Sequence, residues 1–193
     1  MKRIFGVFKK IQRVVDGGFT NKSDGEKMLL LEMLLKLASS RKKKFGLFVI
    51  FGWEDKWNDY AVLSDSSQDL FSKNKMNIFD EKSLKKIATT VDFDGAILVS
   101  RGGKILHSGV ILEGLRPSKL TLIVAFKKID GDFSARLGFK KKVHTRHMAA
   151  ITSSYEFHGT VVYTVSEETG DVHMFEGGKI VFSTVKGEAK SQD

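Results

Sequence analysis

Three short segments of the sequence carry polar residues next to predicted strands or helices. They are Asp94-Gly95-Ala96, Thr145 to Ala150, and Ser166 to Gly170. The second segment opens a predicted helix, where free N–H groups and the helix dipole favour phosphate. Its Arg146 adds a planar charged fork that pairs with phosphate oxygens. The chemistry indicated is recognition of a phosphorylated ligand.

Each segment taken alone also has a purely structural interpretation. Asp-Gly before a strand is most often a turn. Thr-Arg-His can be a helix N-cap followed by exposed polar residues. Ser-Glu-Glu-Thr-Gly is a good turn sequence in its own right. No single segment establishes a site, so the functional interpretation depends on their occurrence together.

Apolar periodicity predicts the elements that position these segments. Helices are predicted over residues 24–39, 81–91 and 145–157. Strands are predicted over residues 45–51, 60–63, 96–100, 104–111, 120–126, 133–139, 159–166, 171–175 and 179–185. Helices followed by mixed strands with an embedded helix predict an α/β fold. We expect a single domain with a mixed central β-sheet flanked by helices.

The two ends of the chain differ from its middle. Residues 1–18 are predicted to form a basic amphipathic helix, with apolar residues at helical spacing and Lys and Arg opposite. This helix could pack on its own domain, contact a membrane surface, or act as a regulatory arm at an oligomer interface. Residues 19–185 are predicted to form the folded domain that carries the three segments, and residues 186–193 a frayed polar tail.

The composition is that of a globular protein with a basic surface. Hydrophobic residues make up 41% of the 193 residues and charged residues 28%. The absence of cysteine excludes disulfides and thiolate metal sites and fits a cytoplasmic location. The net charge of +9 attracts polyanions, whether nucleic acid, anionic lipid or nucleoside triphosphate. Charge alone does not choose among them, and nucleic acid is not an expected partner.

Other motifs for catalysis are weak in this sequence. The five histidines lack the spacing of a metal motif, so a zinc hydrolase is not indicated. The Arg101-Gly102-Gly103 turn has no P-loop lysine. The runs Arg41 to Lys44 and Lys140 to Lys142 are most simply solvated faces.

In order and content, the three segments resemble the signature blocks of the diadenylate cyclase domain, which is also found in the DNA integrity scanning protein. The matching stretches here are "DGAILV", "TRHMAA" and "VSEETG". The resemblance covers about residues 45–182. It implies an enzyme that condenses two ATP molecules into cyclic di-AMP and releases pyrophosphate. It also implies Mg²⁺ or Mn²⁺, with Co²⁺ as a further option, and a homo-oligomer with face-to-face dimers.

The resemblance assigns roles to individual residues. Asp94 is expected to bind metal and to orient the attacking hydroxyl, with Arg146 and His147 as further catalytic residues and His147 as a second metal ligand. Leu112 matches a residue that packs against adenine. The expected ATP-binding residues are Gly95, Ala96, Leu112, Thr145, Arg146, His147, Ser166 and Glu167.

This chain departs from the family pattern at two positions of the second block. Met148 replaces the second arginine and removes one phosphate-directed charge, and His144 replaces a glycine. The stretch over residues 113–143 is also longer than usual, and Lys140 to Lys142 could supply the missing charge. The alternative function is therefore a catalytically weak or inactive regulatory module that binds ATP or cyclic di-AMP.

Overall fold

The computed structural model describes residues 22–91, 93–115 and 145–189. Within these ranges the helices are α1 (Lys22–Ser40), α2 (Glu81–Ile87) and α3 (Thr145–Glu156). The strands are β1 (Leu47–Trp53), β2 (Ala61–Leu63), β3 (Met76–Asn77), β4 (Ala96–Ser100), β5 (Lys104–Leu112), β6 (Val161–Val165), β7 (Val172–Glu176) and β8 (Lys179–Ser183). Short 3₁₀ turns occupy Asp55–Tyr60 and Ser66–Gln68.

All eight strands belong to one mixed sheet. Their order is β2-β5-β4-β1-β6-β7-β8, and β3 pairs with β5 beside β2. The central strand β1 runs parallel to β4 and antiparallel to β6, and the other pairs are antiparallel. The predicted α/β fold with a mixed central sheet is confirmed.

Successive residues of the central strands face two different hydrophobic clusters, as the two-residue period of a strand requires. Val49 and Phe51 of β1 belong to a first cluster with Leu34 of α1. Ile50 belongs to a second cluster with Ile151 of α3. The sheet is therefore covered by α1 on one face and by α3 on the other.

Polar contacts fix α1 on the sheet. The hydroxyl of Tyr163 in β6 donates to the carbonyl oxygen of Lys27, at 2.8 Å. Burial, together with the negative charge of Glu176, raises the pKa of Tyr163 well above its ordinary value, so the phenol remains a donor. The Lys27 ammonium also lies 2.6 Å from the carboxylate of Glu176 in β7. The helix is thus bonded to two neighbouring strands.

Some predicted elements have different bounds in the structure. Helix α2 ends at Ile87 rather than at residue 91, because the hydroxyls of Thr89 and Thr90 donate to the carbonyls of Lys86 and Ile87. Such side-chain bonds compete with helix propagation.

The predicted helix of residues 1–18 and the predicted strands 120–126 and 133–139 lie outside the described residues. Within the described ranges, no helix has the length and apolarity needed to cross a membrane.

Candidate functional site

The strand directions bring the polar segments to one edge of the sheet. In the register, Val49 pairs with Ile97 of the parallel strand β4, and Leu47 pairs with Val165 of the antiparallel strand β6. The start of β1, the start of β4 and the end of β6 therefore lie side by side. Asp94 and Ser166 flank these strand ends, so chain topology alone places them at the same edge.

A cavity of about 790 Å³ lies at this edge. Its volume falls in the range typical of small-molecule sites. Five of the residues expected to contact ATP or metal line it: Asp94, Gly95, His147, Ser166 and Glu167. Apolar walls come from the ends of the central strands and the loop before β4, through Phe45, Leu47, Phe48, Val91, Phe93 and Ile97.

The turn before β4 presents Asp94 to solvent and holds Gly95 against β5. The side chain of Asp94 is exposed. Gly95 has a φ of +97°, and a Cβ at this position would lie 2.6 Å from the carbonyl oxygen of Val110. Gly95 is thus required by the close approach of two strands, and its predicted contact with nucleotide stays a prediction. Ala96 is 3% exposed and packs within the second hydrophobic cluster.

The turn after β6 is held together by Ser166. Its N–H donates to the carbonyl of Asp171 at 2.8 Å, and its hydroxyl accepts the N–H of Thr169 at 3.3 Å. The N–H of Gly170 donates to the carbonyl of Ser166 at 2.7 Å. This tight turn leaves the side chain of Glu167 exposed at the cavity.

Helix α3 brings His147 to the cavity from the second face of the sheet. The ring of His147 lies edge-on to that of His173, with 4.8 Å between centroids and an interplanar angle of 60°. Thr145 and Arg146 are the first two residues of α3, and their side chains lie outside the described part of the structure. Met148 packs against the second hydrophobic cluster.

Leu112 lies at the same edge of the sheet but is not among the described residues that line the cavity. It ends β5, pairs with Ala61 and packs against the second hydrophobic cluster. Its adenine contact and the nucleotide contact of Ala96 stay predictions. The lysines of residues 140–142, which could replace the missing charge, lie outside the described residues.

Two lysines of the cavity were not predicted from the sequence. Lys43 and Lys44 line it directly before β1, and the ammonium of Lys44 donates to the carbonyl oxygen of Glu168 at 2.9 Å. The sequence interpretation placed this run on a solvated face. Its position immediately before a buried central strand is the signal that points to the sheet edge instead.

His173 and Glu188 also line the cavity, although neither was a predicted site residue. The imidazole of His173 and the carboxylate of Glu188 are 2.9 Å apart. Glu188 lies within residues 186–193, which the sequence predicts to be a frayed polar tail. The sequence predicts His173 only as part of a strand, because its partner Glu188 lies in a polar segment with no periodic pattern.

Comparison with known proteins identified one curated relative, a diadenylate cyclase of Methanocaldococcus jannaschii. The two sequences are 29% identical over 165 residues, which cover 83% of this chain. The chain spans about half the length of that curated relative, 47%.

Two solved structures are similar to this chain at low sequence identity. One is a hypothetical membrane spanning protein from Bacillus cereus, with a TM-score of 0.49 and 19% identity, covering 80% of this chain and 61% of that one. The other is a double mutant of DacA from Staphylococcus aureus, with a TM-score of 0.46 and 21% identity, covering 85% and 91%.

Residues 35–180 match the DAC family, described as DisA bacterial checkpoint controller nucleotide-binding. The match covers about three quarters of the chain and includes all three polar segments. The first and last of those segments border the cavity, and the middle one contributes His147 to it. The chain therefore belongs to the DAC family of nucleotide-binding domains.

Proposed function

We propose that this chain is a diadenylate cyclase that condenses two ATP molecules into cyclic di-AMP. The observation that carries the proposal is the cavity at which the signature segments of the DAC family meet. In each half-reaction, the 3′-hydroxyl oxygen of one ATP bonds to the α-phosphorus of the other. The bond from that phosphorus to the bridging oxygen breaks, and pyrophosphate leaves.

Asp94 is suited to the hydroxyl side of this reaction. Its carboxylate is exposed at the cavity, where it can accept the proton of an incoming 3′-hydroxyl. The start of α3 faces the same cavity with His147, and helix N-termini favour phosphate. Lys43 and Lys44, directly before β1, contribute positive charge to the same cavity. ATP binding is thus divided between the carboxylate for the sugar and the cationic groups for the triphosphate.

The carboxylates of the cavity fit a hard divalent cation. Asp94 and Glu167 both line it, and carboxylate oxygens are the ligands preferred by Mg²⁺ and Mn²⁺. Such an ion, when bound, neutralises phosphate charge and stabilises the pentavalent transition state. We assign Asp94 as its principal ligand. Ser166 is assigned to phosphate and Glu167 to phosphate or metal.

Catalysis requires two copies of the chain. One cavity holds one ATP, so each 3′-hydroxyl meets the α-phosphate of a nucleotide held by another copy. We propose a face-to-face dimer in which two cavities form one reaction chamber. The exposed position of Asp94 supports this arrangement, because a buried carboxylate could not reach a second nucleotide.

A second candidate function is a regulatory module that binds ATP or cyclic di-AMP with little or no turnover. The packing of Met148 against the second hydrophobic cluster favours it, because that position supplies no charge to phosphate. Lys44 at the cavity favours the enzyme, since it restores a cation near the turn that contains Glu167 and Glu168.

Product analysis separates the two candidates. The purified chain is incubated with ATP and Mg²⁺, Mn²⁺ or Co²⁺, and the products are separated by chromatography. We expect cyclic di-AMP from ATP and none from 3′-deoxy-ATP, which binds but lacks the nucleophile. If ATP yields no cyclic di-AMP with any of the three ions while still binding, the regulatory module is correct.

A further inference from the structure

Three residues from separate elements bring metal-binding atoms together at one end of the cavity. They are His147 in the first turn of α3, His173 in β7, and Glu188 beyond β8. One ligand atom from each lies within 4.8 Å of the other two. His173 is only 4% exposed, and His147 and Glu188 are partly buried.

Hydrogen bonds hold two of these side chains in position. The hydroxyl of Ser183 donates to Oε2 of Glu188 at 2.6 Å, and Nε2 of His173 lies 2.9 Å from the same oxygen. The other ring nitrogen of His173, Nδ1, lies 3.4 Å from the hydroxyl of Thr164. Metal-binding histidines and carboxylates are normally oriented by outer hydrogen bonds, the role that Ser183 and Thr164 fill here. The contact between His173 and Glu188 joins two ligands and is replaced when both bind the ion.

We propose that His147, His173 and Glu188 form a binding site for a zinc-class transition-metal ion. Two imidazoles and one carboxylate are a ligand set that Zn²⁺ uses when a fourth position stays open. Ligand atoms around tetrahedral zinc are about 3.3–3.5 Å apart, so closure requires movements of roughly 1 Å. All three residues line the cavity, so water from it can complete the coordination. Mg²⁺ prefers oxygen ligands and is excluded by this chemistry.

This site differs from the one proposed at Asp94 in the type of its ligands and in the effect of a bound ion on the structure. An ion on His173 and Glu188 ties residues 184–188, which follow the last strand, to β7 and to the start of α3. Val185 in this segment lines the cavity, so the ion stabilises a cavity wall. Without an ion, the bonds of Glu188 to His173 and Ser183 hold this segment to β7 and β8, and the ring of His147 contacts that of His173.

Metal binding is measured on the full chain after treatment with a chelator, without nucleotide. Zn²⁺ is titrated by calorimetry, and Co²⁺ by visible absorption. We expect one Zn²⁺ per chain, a Tm that rises with Zn²⁺ concentration, and the intense Co²⁺ band of a four-coordinate site. Absence of both Zn²⁺ heat and a Co²⁺ band in the wild type overturns the proposal.

Matched substitutions locate the site. His173→Gln and Glu188→Gln are each expected to weaken Zn²⁺ binding at least about 100-fold, beyond what loss of an outer partner costs. His158→Gln is the control, since this exposed histidine lies outside the cluster and contacts Tyr155. Wild-type affinity in both cluster variants would show that the ion binds elsewhere and overturn the proposal.

If His173→Gln does not fold, Glu188→Gln and the wild-type Co²⁺ spectrum decide whether the ion binds at this cluster. Because no turnover is measured, failure here leaves the cyclase assay unaffected.

Discussion

Asp94 lies at the cavity, and its side chain is exposed. A substitution there can therefore change catalysis without changing the stability of the fold. Asp94→Asn removes the negative charge that holds the cation and accepts the hydroxyl proton. We expect cyclic di-AMP formation to fall by about 10²–10⁴-fold, the range typical of a lost general base. The Tm should stay within error of the wild type, because the side chain is exposed. Product is measured by chromatography and the Tm by circular dichroism.

The matched control is Asp59→Asn, which removes an exposed carboxylate outside the cavity. This variant should keep wild-type product formation. A folded Asp94→Asn protein with undiminished product would show that another group accepts the proton.

Substitution of Lys44 tests whether its ammonium supplies the positive charge of the family's second arginine, which is Met148 in this chain. Lys44→Ala removes a positive charge at the cavity, so ATP should bind more weakly while adenosine binds as before. Because the side chain is exposed and screened by solvent, we expect a loss of about twofold to fivefold in ATP affinity. Calorimetry with both ligands measures the difference.

Lys36→Ala is the control for this experiment. Lys36 pairs with Glu32 on the surface of α1, outside the described cavity lining. An equal loss for ATP and adenosine in Lys44→Ala would place Lys44 in the structure of the turn rather than at phosphate.

Single residues also show what the sequence could and could not predict. The family motifs single out Asp94, His147, Ser166 and Glu167, which line the cavity, while their chemical roles stay predictions. The packing of Met148 could not be predicted, because a side chain in the first turn of a helix can point either toward the hydrophobic core or toward a ligand. His173 and Glu188 were missed since their proximity depends on the fold of a segment without periodicity.

At the level of elements, the contact between β4 and β5 depends on Gly95. Gly95→Ala places a Cβ 2.6 Å from a backbone oxygen and forces a φ of +97° on an L-residue. We expect the free energy of unfolding to fall by at least about 2 kcal/mol, measured by urea denaturation.

Gly102→Ala is the matched control in the turn between the same strands. Nothing lies within 4 Å of a Cβ at Gly102, so its stability should change little. If both variants were equally stable, the two strands would have room to separate, and the close approach would not be a constraint.

A second contact between elements joins the Ser66–Gln68 turn region to β5 through Asp69. Its carboxylate is 4% exposed, lies 2.8 Å from Nδ1 of His107 and accepts the N–H of Ser108 at 3.2 Å. Burial alone would raise the pKa of Asp69, but the bonds with His107 and Ser108 outweigh it and lower that pKa. The ionised carboxylate therefore stabilises the folded state.

This depressed pKa predicts how stability depends on pH. The contribution of Asp69 is fully present above the unfolded pKa of about 3.9 and is lost as pH falls through the folded value. Asp69→Asn should cost about 1–3 kcal/mol at pH 7. Between about pH 5 and pH 2 its stability should fall less than that of the wild type. Urea denaturation at several pH values measures both effects.

Asp80→Asn is the control for the pH experiment, because Asp80 makes no capping hydrogen bond with its side chain. Parallel pH curves for the wild type and Asp69→Asn would contradict the assignment.

Elements with a clear apolar period were predicted more accurately than the shortest elements. The strand over residues 96–100 matches β4, and α1 and α3 lie within two residues of their predicted bounds. The 3₁₀ turns and the two-residue strand β3 were not predicted. Elements this short contain too few residues to establish a period, and tertiary contacts determine them.

For the whole molecule, the proposed mechanism makes activity depend on association. If two cavities must face each other, cyclic di-AMP formed per chain should rise with protein concentration and then reach a plateau. Product assays over a dilution series, with sedimentation under the same conditions, measure this dependence. Constant product per chain in samples that sediment as monomers would contradict the face-to-face dimer.

The central position of β1 has a consequence for synthesis on the ribosome. Its parallel neighbour β4 begins roughly 40 residues later, and its antiparallel neighbour β6 begins roughly 110 residues later. At 5–20 residues per second, one edge of this apolar strand waits about 5–20 s for its partner to be made. The nascent chain thus exposes an aggregation-prone edge throughout that interval, and chaperone binding to β1 would protect it.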